Sequence, residues 1–367
     1  MGIEFMEKRK NYIDGMKGMA CLLIMFGHYY GIYKYAENKE ALSLWAFQLF
    51  EQKPWNVCVS ESFWLSLFFV ISGYSLSLTR IVNYLSLFKK CFKRLLRLVM
   101  PVFGACIFIF FIYKFFGFHN GELKTVVDNP WLESFYQEKI FFYDLLLEPL
   151  KTVLVVGGNL KFNTPWWCIS GMFYSSICIY VCNYAKRICK KEMLTFLAVC
   201  LLMASVWHGR GNPFQGIIVA SLLGMMVCWY EKKIEQLIKF KIIFVLLGVI
   251  VLTLCVFQIR TDLKPLYFAI MLGIVPRLDR IKELFSGNLL TFLGRISFGI
   301  YSFHWPVFCS VGMLMLKMGL GKISIDLLFL RVYIVSIVCC LGLAYIYHIT
   351  VEKLSVYLLN VVERLGK

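Results

Sequence analysis

The first long apolar segment of the chain carries three ionisable side chains that could take part in proton transfer: Asp14, Lys17 and His28. In an α-helix each residue turns the chain by about 100°, so the eleven steps from Lys17 to His28 end within about 20° of the starting direction. Asp14 lies about 40° from His28, so the three side chains share one stripe, along which Lys17 and His28 are about 16 Å apart. Ionisable residues inside an apolar helix indicate a functional site, although a structural histidine bonded to a neighbouring helix fits the same pattern.

The chemistry that this stripe could perform is general base catalysis. Histidine is the side chain whose ordinary pKa lies near neutral pH, so it can take a proton from a poorly nucleophilic alcohol. His28 is therefore a candidate general base. Asp14 lies one turn from Lys17 and far from His28, so we expect this carboxylate to pair with the lysine.

A second candidate group is the basic segment KKCFKRLLRLVMP, which places Arg94 and Arg97 one helical turn apart. Two guanidinium groups at this spacing can bind a diphosphate through charge-assisted hydrogen bonds. The same charges also fit the ordinary excess of Lys and Arg at the cytoplasmic ends of membrane helices. The sequence alone leaves both interpretations open.

Two further apolar segments contain polar residues. His304 precedes Pro306, which interrupts helical hydrogen bonding, and it lies nine residues after Arg295, about 180° around a helix. A packing role for His304 fits this pattern as well as a functional one. Ser72 and Gly73 lie in FFVISGYSLS, and small residues inside an apolar helix are typical of close helix packing.

The composition indicates that membrane-spanning helices position these residues. Of the 367 residues, 59% are hydrophobic and 17% are charged, and the mean hydropathy is +0.69. A soluble domain is about half apolar and a quarter charged. The apolar residues form continuous runs of about the length that crosses a bilayer rather than the alternating pattern of a barrel. We therefore predict an all-α, polytopic integral membrane protein with a single domain over 1–367, and we exclude a soluble enzyme, a disordered chain and a secreted disulfide scaffold.

About ten membrane-spanning helices are predicted, and an even number places both termini on one side. Lys and Arg concentrate in the connections on the side of the termini, which predicts cytoplasmic termini, a cytoplasmic loop at 81–95 and an external loop at 34–60. Residues 141–160 carry Asp144, Glu148 and Pro149, so we interpret them as an interfacial or re-entrant segment. The predicted spans are 12–33, 61–80, 96–116, 164–184, 193–208, 213–230, 240–258, 264–276, 290–316 and 326–350.

The net charge of +17 is explained by basic cytoplasmic loops, so we expect the lipid bilayer as a partner and no nucleic acid. The fourteen cysteines show no metal-ligand spacing and most lie inside apolar runs, where cysteine behaves as a small hydrophobic residue. We expect neither a metal site nor a disulfide framework. No cleavable signal peptide is expected, and the chain is predicted to be a multi-pass protein of the cell membrane.

Four motifs in this order resemble the membrane acyltransferase family 3. YIDGMKGMACLLIMFGH resembles its opening D-G-x-R-G with ten residues between the basic residue and a histidine, and LFFVISGYSLS, which contains Ser72, resembles F-F-x-x-S-G-[FY]. RLLRLVMP resembles the R-x-x-R pair followed by proline. ISFGIYSFHWPV, which contains Tyr301 and His304, resembles S-[YF]-x-x-Y-x-x-H-x-P. The resemblance extends over about 300 residues.

The resemblance implies a ten-helix membrane enzyme that moves an acyl group, often acetyl, from acyl-CoA to a hydroxyl of an extracytoplasmic glycan or lipid-linked saccharide. Lys17, Arg94 and Arg97 are then expected to hold the phosphates of CoA while the pantetheine arm extends toward His28, the general base. His304 is a second catalytic candidate that could orient the acceptor or close the site.

The chain departs from the family pattern at two places. Lys17 stands where arginine is usual, which keeps the charge but loses the bidentate fork. Many relatives carry W-S-L-x-x-E in a middle helix, whereas this chain has Trp167, Cys168 and, in place of the glutamate, Met172. No carboxylate is therefore expected to bind the acceptor there.

Three other functions are compatible with the same residues. A transporter or flippase of a lipid-linked glycan would use intramembrane charges without acyl chemistry. A member of the other membrane-bound O-acyltransferase superfamily would also use an intramembrane histidine, although one deeper in the chain. A structural or accessory membrane subunit would have no activity of its own.

Overall fold

The computed structural model describes residues 11–38, 45–123, 127–189, 192–208, 212–237, 241–257 and 263–365. These residues form helices and connecting segments, and they contain no β-strand. The α-helices, numbered in chain order, are α1 Asn11–Lys34, α2 Trp45–Glu51, α3 Glu61–Ser77, α4 Tyr84–Phe116, α5 Pro130–Glu133, α6 Asp144–Leu154, α7 Trp167–Cys189, α8 Glu192–His208, α9 Pro213–Leu237, α10 Lys241–Val256, α11 Lys264–Ile274, α12 Asp279–Ser286, α13 Asn288–Arg295, α14 Ser297–Val307, α15 Met313–Gly319, α16 Ile325–Tyr347 and α17 Lys353–Leu365.

The described residues include four helical stretches that are long and apolar enough to cross a membrane: Tyr84–Phe116, Pro213–Ile234, Ser297–Gly319 and Ile325–Val361. Each has at least 22 residues, which at about 1.5 Å per residue covers the roughly 30 Å hydrocarbon core. The all-helical class and the membrane character predicted from the sequence are therefore confirmed. The number of ten crossings and the side of the termini stay predictions.

Glycines bring α3 and α9 into backbone contact. A Cβ atom built on Gly73 of α3 would lie 1.8 Å from the carbonyl oxygen of Ser221 on α9, and one built on Gly224 of α9 would lie 1.8 Å from the carbonyl oxygen of Val70 on α3. Only glycine allows this approach, so the close packing predicted around Ser72 and Gly73 is confirmed.

The helix that carries the ionisable stripe is held in the same way. A Cβ atom on Gly15 of α1 would lie 1.7 Å from the carbonyl oxygen of Phe285 in α12, and one on Gly294 of α13 would lie 1.8 Å from that of Asp14. The first turns of α1 therefore lie directly against the backbones of α12 and α13.

The predicted loop at 81–95 is wrong, because α4 begins at Tyr84. A capping box starts this helix: the Asn83 side chain accepts a hydrogen bond from the Ser86 backbone N–H at 2.8 Å, and the Ser86 hydroxyl accepts one from the Asn83 N–H at 3.1 Å. The paired caps satisfy backbone donors that a helix start leaves free. Residues 84–95 are therefore the first turns of a 33-residue helix.

The predicted span 290–316 is also not one helix. The chain leaves the helical conformation at Ile296, between α13 and α14, and a π-helical turn at Phe308–Gly312 separates α14 from α15. Pro306 cannot donate a backbone hydrogen bond, which explains the wider turn that follows it. Arg295 and His304 consequently lie on different helices, so the comparison of their directions around one helix does not apply.

The segment 141–160 contains α6, which has eleven residues and a length of about 16 Å, too short to cross a bilayer. Its carboxylates are buried and partnered. Lys161 places its Nζ 3.3 Å from Asp144 Oδ1 and donates its backbone N–H to Glu148 Oε1 at 2.7 Å. Burial raises the pKa of the Glu148 carboxyl. This geometry agrees with the interpretation of 141–160 as a segment that does not span.

The contact between α3 and α9 predicts the effect of one added methyl group. Gly224→Ala should lower stability by about 1–3 kcal/mol, because the new Cβ collides with backbone atoms that cannot move aside independently. Gly342→Ala in α16 is the matched control, since a Cβ there meets nothing within 4 Å. Thermal unfolding in detergent should show a lower midpoint for Gly224→Ala alone, and equal midpoints would contradict the contact.

Candidate active site

Five cations line one cavity of about 550 Å³ between α1, α3, α4, α7 and α14. We call it the basic cavity. The described residues that line it include no aspartate and no glutamate, so its field is positive and favours an anion with several charges. The five cations are Lys17, Lys90, Lys93, Arg94 and Arg97.

The structure brings the three predicted phosphate-binding residues together and adds Lys90 and Lys93. The four cations of α4 follow the spacing i, i+3, i+4 and i+7, which places them on one face of the helix. Arg94 is oriented by α7, because its Nε donates to Ser176 Oγ at 3.0 Å. Sequence reasoning missed the two lysines because it began the helix at residue 96, although this periodicity was present in the sequence.

Lys17 and Asp14 form the expected pair at the start of α1. Lys17 Nζ lies 4.0 Å from Asp14 Oδ1. Asp14 is buried and lines neither cavity described below, whereas Lys17 faces the basic cavity. The carboxylate can therefore restrain the lysine without adding a negative charge to the lining.

The deep end of the basic cavity is formed by α14, which contributes Tyr301 and His304, and Ser72 of α3 lines the same cavity. His304 is only 1% exposed. Its Nδ1 lies 3.1 Å from the carbonyl oxygen of Ile300. A carbonyl only accepts, so this contact assigns the proton to Nδ1 and leaves the lone pair on Nε2. Nε2 is buried and has no hydrogen-bond partner among the described residues.

A second cavity, of about 500 Å³, lies at the other end of α1 and contains His28. We call it the aromatic cavity because indole and phenyl rings dominate one side of it. Glu61 and Lys264 are its charged residues, and Lys264 Nζ donates to Ser62 Oγ at 3.0 Å. The aromatic rings in its lining are those of Tyr35, Phe69, Trp131, Phe135, Trp167, Tyr301 and Trp305.

The two cavities share a wall of four residues. Ile24, Leu65, Phe69 and Tyr301 line both of them, so α1, α3 and α14 each run from one cavity to the other. Lys17 faces the basic cavity and His28 the aromatic cavity, on the face of α1 that the spacing predicts.

At this wall the two predicted catalytic histidines meet. The ring centroids of His28 and His304 are 5.1 Å apart, although 276 positions separate these residues in the sequence. His28 lines only the aromatic cavity and His304 only the basic cavity. The arrangement therefore offers one imidazole to each cavity.

Tyr301 ties this wall to the start of α7. Its hydroxyl donates to the carbonyl oxygen of Pro165 and lies 3.0 Å from Cys168 Sγ. The Asn163 side chain donates to the carbonyl oxygen of Ser302 at 3.1 Å. Sequence reasoning did not identify Asn163, because its partner is distant along the chain. Cys168, which stands where relatives carry serine, thus lies in the lining of the basic cavity.

Two adjacent histidines, one buried and one half-buried, beside a cavity lined by five cations form an arrangement suited to group transfer. A family model described as an acyltransferase domain, that of the acyltransferase 3 family, matches residues 10–349. The chain therefore belongs to the acyltransferase 3 family and is a helical membrane acyltransferase. Searches of curated proteins and of solved structures give no significant match.

Proposed function

We propose that this protein transfers an acyl group from acyl-CoA, bound in the basic cavity, to a hydroxyl group of a saccharide bound in the aromatic cavity. The observation that carries the proposal is the pair of cavities that share one wall, with five cations in the first cavity and a histidine at the wall of each. The donor and the acceptor would then bind at opposite ends of the same three helices and react where the cavities meet.

The charge of the basic cavity supports CoA as the carrier of the acyl group. CoA has a diphosphate and a further phosphate at one end of a narrow pantetheine arm, and the thioester lies at the other end. Lys17, Arg94 and Arg97 would hold the phosphates together with Lys90 and Lys93. The axial distance of about 16 Å from Lys17 to His28 suits an extended arm.

The aromatic cavity supports a saccharide acceptor. The flat rings of Trp131 and Trp167 offer apolar surfaces to the C–H faces of a sugar, and the polar edges of indole rings can hydrogen-bond to hydroxyl groups. Glu61 and Lys264 supply further polar partners. His28 would take the proton from the attacking hydroxyl and so act as the general base.

The proposed orientation follows from charge. Lys and Arg concentrate around the end of the bundle that holds the basic cavity, and this bias supports a cytoplasmic location for this end and both termini, with about ten crossings of the cell membrane. Acyl-CoA is a cytoplasmic metabolite, whereas the aromatic cavity would open to the outside, where the glycan or lipid-linked saccharide lies. The apolar wall favours passage of a small acyl group over passage of a whole glycan.

The proposed base predicts the effect of changing His28. His28→Gln should lower acyl transfer by about 10²–10⁴-fold, because the amide keeps a polar side chain but cannot take a proton at neutral pH. CoA binding should persist, since the basic cavity is unchanged. The measurement is the acyl content of surface glycans by mass spectrometry, with CoA binding by the purified protein. His119→Ala, at a half-buried site outside both cavities, is the control. If His28→Gln retains acylation, His28 is not the general base.

The proposed donor site predicts a graded loss of affinity. Lys93→Ala, Arg94→Ala and Arg97→Ala should each weaken binding of acyl-CoA by roughly 10- to 100-fold, since a hydrogen bond to a charged group contributes about 1.5–3 kcal/mol. The loss should shrink at high salt, which screens these charges. Lys17→Arg should be tolerated, because it restores a bidentate donor. Lys89→Ala, on the same helix but outside the cavity lining, is the control. If Lys89→Ala weakens binding equally, the losses reflect the net charge of the helix, and the basic cavity is not the donor site.

A further inference from the structure

The two histidines line different cavities that meet at four shared residues. In a direct transfer, the acceptor hydroxyl must reach the thioester past Ile24, Leu65, Phe69 and Tyr301, three of which are buried or half-buried apolar side chains. His304, not His28, is the imidazole in the cavity that would hold the thioester. The residue nearest the donor is therefore a different residue from the proposed base.

The Nε2 atom of His304 has the free lone pair that a nucleophile needs. Its Nδ1–H is held by the Ile300 carbonyl oxygen, and the Tyr29 hydroxyl donates to the carbonyl oxygen of His304 itself at 3.1 Å. The first contact orients the ring and the second holds the backbone that carries it, and Nε2 is left with a lone pair and no partner among the described residues. Histidine is one of the side chains that form covalent intermediates, and the hydrogen bond at one ring nitrogen determines that the other carries the lone pair.

We propose that His304 carries the acyl group between the two cavities as an acyl-imidazole on Nε2. This inference rests on the proposed function. The Nε2 lone pair attacks the thioester carbonyl carbon, a C–N bond forms, the C–S bond breaks, and CoA leaves as a thiolate. The product is an N-acylimidazolium that keeps its Nδ1 proton, so its positive charge balances the charge of the thiolate.

The second half of the reaction takes place from the aromatic cavity. The acceptor hydroxyl attacks the acyl carbon while His28 takes its proton, an ester C–O bond forms, and the C–N bond to His304 breaks. His304 returns to the neutral form with its Nδ1 proton. His28 releases the proton to solvent, and solvent protonates the thiolate of CoA, so no oxidant or further reactant is needed.

The surroundings suit such an intermediate. A centroid separation of 5.1 Å between the imidazole rings leaves no space for another side chain between them, so an acyl group on one ring lies beside the other. Ile24, Leu65 and Phe69 surround this position with apolar surface, which limits access of water to a group that hydrolyses readily. The acceptor then needs to reach the wall but not to cross it.

The transfer of the acyl group through His304, which we call the relay, is tested by isotope exchange without any acceptor. Purified protein is incubated with acetyl-CoA and isotopically labelled free CoA. Since the first half-reaction is reversible, label should enter acetyl-CoA. Exchange should fall to background in His304→Gln, whereas His28→Gln should keep exchange within a few-fold of wild type although it has lost transfer to glycans. Binding of CoA by His304→Gln checks that this variant is folded.

Peptide mapping of the wild-type protein, quenched in the presence of acetyl-CoA, needs no variant and should find an acetyl group on His304. Transfer to glycans without exchange, or exchange that survives in His304→Gln, would overturn the relay and leave the proposed function intact. A wild-type protein that neither binds CoA nor supports glycan acylation would instead overturn the proposed function itself.

Discussion

The contact on which the rest of the structure depends is that between the backbones of α1 and α13. Gly294 lies against the carbonyl oxygen of Asp14 so closely that no Cβ atom fits between them. The chain then turns at Ile296 and α14 runs along α1, to which it is bonded twice: Cys21 Sγ donates to the carbonyl oxygen of Ser297, and the Tyr29 hydroxyl donates to that of His304. These contacts set the distance between the two histidines, because each histidine lies on one of these helices close to a bonded residue.

The two cavities differ in charge although they share helices. Residues of α1, α3 and α14 line both cavities, but cations from α1 and α4 line one cavity and aromatic rings line the other. A multiply charged ligand is attracted to the first and a flat apolar face to the second. Under the proposed function, this separation would assign the two substrates to opposite ends of the bundle. It leaves only the acyl group to pass the wall.

Much of this arrangement could be predicted from helix periodicity. The all-helical class follows from continuous apolar runs, and the spacing of Lys17 and His28 places them on one face of α1. The adjacency of His28 and His304 could not be predicted in this way, because 276 positions separate them and only tertiary packing brings them together. Lys90 and Lys93 were missed for a local reason: the capping box of Asn83 and Ser86 starts α4 twelve residues before the predicted span begins. The break at Ile296 lies between Gly294 and Ser297, a weak signal of a helix end and a new helix start inside an otherwise continuous apolar run.

The central claim is that the acyl group enters from the cytoplasmic face and leaves on an outer saccharide. It is tested most directly with sealed membrane vesicles from cells that produce the protein, prepared in both orientations and given radiolabelled acetyl-CoA on the outside, since this donor does not cross a bilayer. The account predicts labelled glycan only in inverted vesicles, where the cytoplasmic face is exposed, and none when the vesicles contain His28→Gln protein. Equal labelling in right-side-out vesicles would contradict it, because the donor would then bind on the same side as the acceptor.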